Sequence, residues 1–196
     1  MYRRVGDRRR RQPTTTTVRR RRPGPTCKKA HGRAARHQVL NDIILRASKA
    51  ADVPAVKEPS GLNRQDGKRS DGLSRIPWQS GEPLLCDVMV ASTLAGLYAD
   101  TAATGAELVA DQAADRKTAK YADLRAQYVF QPVSVETLGP FSFSTLDFLR
   151  DLGRRISHIL GNDREVLFLF QTISVTIKRF NSVLLHDSFS IDRPDH

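Results

Sequence analysis

Two aspartates sit where a carboxylate is costly. In the stretch KRSDGLSRIPWQSGEPLLCDVMV (residues 68–90), Asp71 opens one short apolar run and Asp87 interrupts the next, with a Gly-containing turn between them. An ionised side chain among Leu, Cys, Val and Met is strongly unfavourable unless something pairs with it. A divalent cation is one such partner. Mg2+ binds through one or two carboxylates and keeps waters and substrate phosphate oxygens in its remaining positions. Held in that way, it activates a water and stabilises the leaving oxygen of a phosphodiester. The pair therefore points to phosphodiester cleavage. The competing reading is structural, with Asp71 as a turn former and Asp87 bonded to backbone.

Hairpin register decides whether the two carboxylates can cooperate. Opposed residues of an antiparallel pair share a constant index sum and point to one face. A turn centred on Ser80 gives a sum of 160 and puts Asp87 one pleat from the position opposite Asp71, on the same face. A turn centred on Gln79 gives 158 and sets the aspartates against each other, whereas 159 sends them to opposite faces. A shared face without a cation raises the pKa of at least one of them.

The elements that must carry these residues are legible in outline. RHQVLNDIILRASKAA puts Val39, Leu40, Ile43, Ile44 and Ala47 on one helical stripe. Pro54 and Pro59 bracket a short extended piece at Val56–Glu58. NRQDGKRSDG is turn chemistry, and LSRIPW and PLLCDVMV form a hairpin across QSGE. GAELVADQAADRKTAKYADLRAQ reads as a helix and YVFQPVSVETL as a strand with Pro132 at an irregular position. STLDFLRDLGRRISHIL, headed by Ser144 as N-cap, is an amphipathic helix through Leu146, Leu149, Ile156 and Ile159, weakened in the middle by Gly153. REVLFLFQTISVTIKRFNSVLL fits a helix through Leu169, Ile173, Ile177, Phe180 and Leu184, and also a strand; its length favours the helix. The order α-β-β-β-α-β-α-α predicts one mixed sheet with helices packed on it.

Charge divides the chain. Residues 1–37 carry 14 Lys and Arg against the single Asp7, a net of +13, while residues 38–196 carry 18 basic and 20 acidic side chains, a net of −2. The high pI thus belongs to the leading segment, where RRRRQPTTTTVRRRRPGP has almost nothing to bury and is expected to be disordered. Arg8, Arg9, Arg10, Arg11, Arg19, Arg20, Arg21 and Arg22 suit nuclear import or contact with nucleic-acid phosphates, or form a solvated tail. Cys27 and Cys86 are the only cysteines, and no Cys/His cluster has zinc spacing, so neither a disulfide scaffold nor a complete zinc site is expected. No signal peptide is visible, and Gln171, Lys178, Arg179 and Asn181 make the most apolar late stretch a poor membrane span. Other motifs fail. GLNRQDGKRS has Arg69 where a phosphate loop needs Ser or Thr. His37, His158 and His186 are isolated in the sequence and are assigned no role. Trp78, Phe141 and Phe143 are read as core rather than base-stacking residues, and Glu136 as an exposed strand residue.

An acidic residue after the first helix, an Asp at the start of one strand and an Asp on the next resemble the PD-(D/E)XK nuclease fold. More narrowly, HGRAARHQVLNDII, EPSGLNRQDGKRSDG, IPW, DVMVASTLA, KTAKYADL, VSVETLGP and FLFQTISVTIKRFN resemble, in that order, the C-terminal restriction-like endonuclease region found with reverse transcriptases in animal non-LTR retrotransposons. The resemblance spans residues 27–185. It implies an α/β, restriction-endonuclease-like αβββαβ core with a mixed central sheet and two additional C-terminal helices. The implied organisation is a basic tail at 1–30, the domain at 31–187 and a disordered C-terminus at 188–196. The implied activity is metal-dependent nicking of chromosomal DNA with Mg2+ or Mn2+, which frees a 3′ hydroxyl to prime reverse transcription. DNA, a reverse transcriptase domain and the element RNA are the implied partners, no membrane is involved, and the location is nuclear or otherwise cytoplasmic.

Carried over position by position, Asp71 matches the first metal-binding aspartate and Asp87 the second acid. Glu58 matches the upstream acid that adds a ligand or orients a water. The lysine expected two residues after the second acid is Met89 here. Lys117 and Lys120 in KTAKY are the substitutes, as the restriction-like region carries a K-x-x-K-Y pattern. A lysine there would hold the attacking water or stabilise the phosphorane charge, with Tyr121 assisting from the same helical face. Ser70 replaces the expected Pro, Cys86 replaces an aromatic, and the Cys-rich knuckle expected upstream is reduced to Cys27 and His31. These departures sustain a second expectation, a catalytically decayed nucleic-acid-binding remnant that relies on its basic tail. A structural α/β scaffold without nucleic-acid contact is the third.

Overall fold

The computed structural model describes residues 31–60, 62, 69–124 and 126–189. The tail arginines, Cys27, the Asp66–Gly67 turn and residues 190–196 lie outside them. Over the described residues the chain is α/β, with a four-stranded mixed sheet and five α-helices. In order these are α1 (His31–Ala50), β1 (Ala55–Lys57), β2 (Gly72–Gln79), β3 (Glu82–Ala91), α2 (Ala99–Thr104), α3 (Leu108–Lys120), β4 (Val129–Glu136), α4 (Phe143–Leu160) and α5 (Glu165–Phe189). Apart from the short α2, whose segment carries no strong periodicity, the order matches the sequence expectation. The sheet runs β1-β2-β3-β4, antiparallel up to β3, with β4 parallel to β3 after the crossover through α3.

Alternation along β3 sorts its side chains between two layers. Leu84, Cys86 and Val88, with Val133 and Val135 of β4, join the main core, which is closed by Leu40, Ile43, Ile44 and Ala47 of α1, Phe148, Leu149, Leu152 and Ile156 of α4, and Leu169, Ile173 and Ile177 of α5. Trp78 is buried there too, edge-on to Phe148 and covered by the Arg155 guanidinium 3.9 Å from its ring. On the other face, Met89 and Ala91 meet Val109 and Ala113 of α3.

Helix ends follow local chemistry. The α4 N-cap is Ser142, two residues before the expected Ser144, and its hydroxyl accepts from the Thr145 amide. Gly153 is required by packing: a Cβ there would lie 2.7 Å from the Cα of Val166. The α4 stripe correspondingly runs through Phe148, Leu149, Leu152 and Ile156, leaving Ile159 exposed. The ambiguous late stretch is a helix whose inward face holds Leu169, Ile173, Ile177 and Leu184. Arg36 of α1 is buried and donates to Asn181 of α5 at 2.7 Å, and Asn181 donates in turn to the Thr137 carbonyl. Burial, then the nearby charge of Arg33, brings the Arg36 pKa down to about 10. No helix among the described residues is long and apolar enough to cross a membrane.

Candidate active site

Irregularity in the hairpin brings the two aspartates together. Ser80 and Gly81 form the turn, both with positive φ, so the strands leave it with Gln79 opposite Glu82, an index sum of 161. Continued without interruption, that register would set Asp71 against Val90. The ladder instead shifts on both sides of Pro77, a residue that cannot donate to it. By Leu73↔Leu85 and Gly72↔Cys86 the sum is 158, the register that sets Asp71 beside Asp87.

At this point β2 ends and β3 runs on. The Asp71 amide donates to the Cys86 carbonyl at 3.1 Å, and its own carbonyl accepts from the Glu58 amide at 3.0 Å. Beyond Cys86, among the described residues, β3 has no ladder partner in β2, so side chains take over. The Val88 amide donates to Asp71 Oδ2 at 2.6 Å. The Val88 carbonyl lies 3.0 Å from His37 Nε2, which is 3.2 Å from the same Asp71 oxygen. His37 is delivered by the first third of α1, from a position half-exposed at the helix surface.

Asp87 is served from the opposite layer. Its Oδ2 accepts from Lys117 Nζ at 2.6 Å. Lys117 reaches it because α3 is held down at its start: Glu136, the last residue of β4, accepts from the Val109 and Ala110 amides at 3.2 Å each. These are amides that a helix leaves without intrahelical partners, at its positive dipole end. Val109, Ala110, Ala113 and Ala114 are the buried residues of α3, and short side chains let it lie close to the sheet. Glu136 is therefore buried and positions α3, against the exposed role expected for it.

Electrostatics follow from this arrangement. The hydrogen bond to Asp71 is the main influence on His37 and raises its pKa, with burial acting in opposition. Burial alone would push Asp71 up, but the hydrogen bond and charge of His37 outweigh it and hold the carboxyl below its usual range. Asp87 is pushed up by burial and by Asp71, with Lys117 opposing. One carboxylate is thus stabilised as the anion while the other holds its proton more tightly, as two adjacent acids must. Cys86, between them on the opposite face of the strand, is buried and pushed up to about 12 by burial and the two carboxylates.

Of the residues expected to form the site, Asp71, Asp87 and Lys117 come together. Lys120 is exposed on the outer side of α3, and Tyr121 is buried and stacked on Phe130 at 4.3 Å, so positions 117, 120 and 121 do not present a common face. Glu58 is exposed with φ of 45°, and only its backbone engages the site. Met89 follows Asp87 on the same face and packs on the small core beneath α3, so the ammonium arrives from the helix in place of the strand. Among the described residues, His37, Asp71 and Asp87 each offer a ligand atom within 4.8 Å of the others. His37 was missed in the sequence because a lone histidine has no partner until α1 is docked; its position on the helical face beside the Val39–Leu40 stripe was the available signal. No family model matches the chain, and no curated protein matches it.

Proposed function

We propose that the protein is a divalent-metal-dependent DNA endonuclease with a restriction-endonuclease-like αβββαβ core, of the kind that accompanies reverse transcriptases in animal non-LTR retrotransposons. The observation that carries this reading is the meeting of two buried carboxylates from adjacent strands with a lysine ammonium from the crossover helix. The order α1-β1-β2-β3-α3-β4 and the mixed sheet are compatible with that core.

The donor set fits a divalent ion. An octahedral ion with bonds of about 2.1 Å sets neighbouring donors about 3 Å apart. Asp71 Oδ2, the Val88 carbonyl and His37 Nε2 have contacts of 3.0 and 3.2 Å. Asp71 and Asp87 would hold Mg2+ or Mn2+, which when bound supplies an activated water and a counter-charge for the phosphodiester. The chain's own groups do the rest. Lys117 spends one of its three N–H donors on Asp87, and the others are free to meet a phosphate oxygen whose charge grows in the transition state. The Val88 amide fixes the Asp71 carboxylate in one orientation. The main core behind β3, through Leu84, Cys86 and Val88, holds in place the strand that carries Asp87.

One observation favours a second reading. His37 and Lys117 already pair with Asp71 and Asp87, so the buried charges are balanced within the chain. That is what a catalytically decayed nucleic-acid-binding remnant would retain. Nicking of supercoiled plasmid in Mg2+ or Mn2+ separates the two. The endonuclease converts plasmid to open circles and the Asp87→Ala variant does not. Plasmid left intact by both proteins, with both retarding it in gel shifts, establishes the remnant.

A further inference from the structure

We propose that His37 is a direct nitrogen ligand of the bound ion and makes the site select Mn2+ over Mg2+. The inference rests on the metal-dependent reading above, though not on hydrolysis itself.

The geometry that points to it is a convergence on one atom. His37 Nε2 faces two oxygens at once, the Val88 carbonyl at 3.0 Å and Asp71 Oδ2 at 3.2 Å. A single N–H cannot point at both in a straight line, so one proton serves two acceptors imperfectly. An ion standing in place of that proton meets the nitrogen lone pair and both oxygens from one point. These are the spacings between adjacent corners of an octahedron. Asp87 offers a further oxygen within 4.8 Å of the same group, while Lys117 occupies its Oδ2. The ring is anchored in place: α1 is fixed against the sheet by Leu40, Ile43 and Ile44 directly after His37.

Ligand chemistry then sets the preference. Mg2+ favours an all-oxygen shell and gives up water reluctantly. Imidazole suits first-row transition ions such as Zn2+ and Ni2+ best; Mn2+, at the weak end of that series and served also by carboxylate and carbonyl oxygens, accepts a nitrogen donor more readily than Mg2+ does. A site with two carboxylates, a carbonyl and one imidazole therefore discriminates through the imidazole. Outer-shell partners of metal ligands are worth roughly ten- to hundredfold in affinity, and loss of a ligand itself should cost at least that.

The test uses the full chain without DNA. Manganese-loaded protein studied by pulsed electron paramagnetic resonance should show hyperfine coupling to one imidazole nitrogen, and the His37→Gln variant should lose it. Competition titrations should show Mn2+ held at least about tenfold more tightly than Mg2+ by the wild type, with the ratio collapsing in His37→Gln. Gln can still donate a hydrogen bond to Asp71, so a merely supporting role for His37 would leave the ratio unchanged and overturn the proposal. Coupling that survives the Asp71→Asn/Asp87→Asn double variant would locate the manganese at another histidine and overturn it equally. If His37→Gln fails to fold, the spectrum of the wild type decides: absence of nitrogen coupling sinks the inference. Plasmid nicking without that coupling would leave the endonuclease standing and remove His37 as a ligand. Coupling without nicking would do the reverse.

Discussion

The two faces of the sheet are built to different ends. Behind β3 and β4, α1, α4 and α5 enclose a core whose fully buried members include Leu40, Ile44, Leu149, Leu152 and Ile177. In front, α3 covers a much smaller apolar patch, and the strand residues beneath it include the buried polar groups Asp87, Ser134 and Glu136. Large aliphatic side chains on one face supply transfer free energy. Short ones on the other let a helix approach until its amides reach Glu136 and its lysine reaches Asp87. The lesson is that the back face can hold the strands rigid enough for the front face to carry charges that would otherwise destabilise it.

Substitutions on each face sharpen that contrast. The largest effect expected is on nicking: Asp71→Ala or Asp87→Ala should lower the plasmid nicking rate by roughly a hundredfold or more, to background. Denaturant unfolding of the same proteins checks that they fold. Leu152→Ala on the back face should lower unfolding free energy by about 2–5 kcal/mol while leaving metal affinity of the folded protein in place. Equal loss of metal binding there would break the division between the faces. Glu136→Ala should cost about 1–3 kcal/mol by leaving the Val109 and Ala110 amides without their acceptor. It should also slow nicking, because Lys117 loses its register over Asp87.

The pH response of the metal-free protein is a finer probe. His37 has a raised pKa, so its pairing with Asp71 contributes fully below the ordinary histidine value of 6.5 and is lost as pH rises through the folded value. Asp71 has a lowered pKa, so the same contact is lost at the acid end, as pH falls through a value below 3.8. The melting-temperature gap between wild type and His37→Ala should therefore be widest in the weakly acidic range between these limits and shrink above it. A gap that grows steadily toward alkaline pH contradicts the pairing. The smallest effect concerns Cys86. With its thiol at about 12 and buried, its peptide should remain unalkylated at pH 8 until the protein is denatured, as mass spectrometry would register.

Much of this was legible in residue pattern. The stripe of α1 follows from spacing alone, because apolar residues at helical intervals have one way to be buried together; the α5 stretch fits a strand as well, and only its length favours the helix that forms. Asp71 and Asp87 were identifiable because a carboxylate in an apolar run demands a partner. What pattern did not supply was the partner. Lys117 and Lys120 are equivalent by type and differ only in which side of α3 faces the sheet, a matter fixed by Glu136 from a distant strand. Register was open among three values because the answer depends on shifts around Pro77, and such shifts leave no periodic trace. Ser142 displaced Ser144 as N-cap for a similar reason: both are serines, and α4 begins where the Thr145 amide in its first turn meets a hydroxyl already buried beside the Thr145 side chain.

The overhang of β3 beyond β2 has one further consequence. Val88 has its amide proton secured by a carboxylate in a place where a neighbouring strand would ordinarily secure it. Its exchange with deuterium is thereby tied to the posture of a single side chain and not to fraying of the sheet. That backbone proton becomes a native gauge of Asp71: whatever draws the carboxylate away would be recorded as faster isotope uptake at one site.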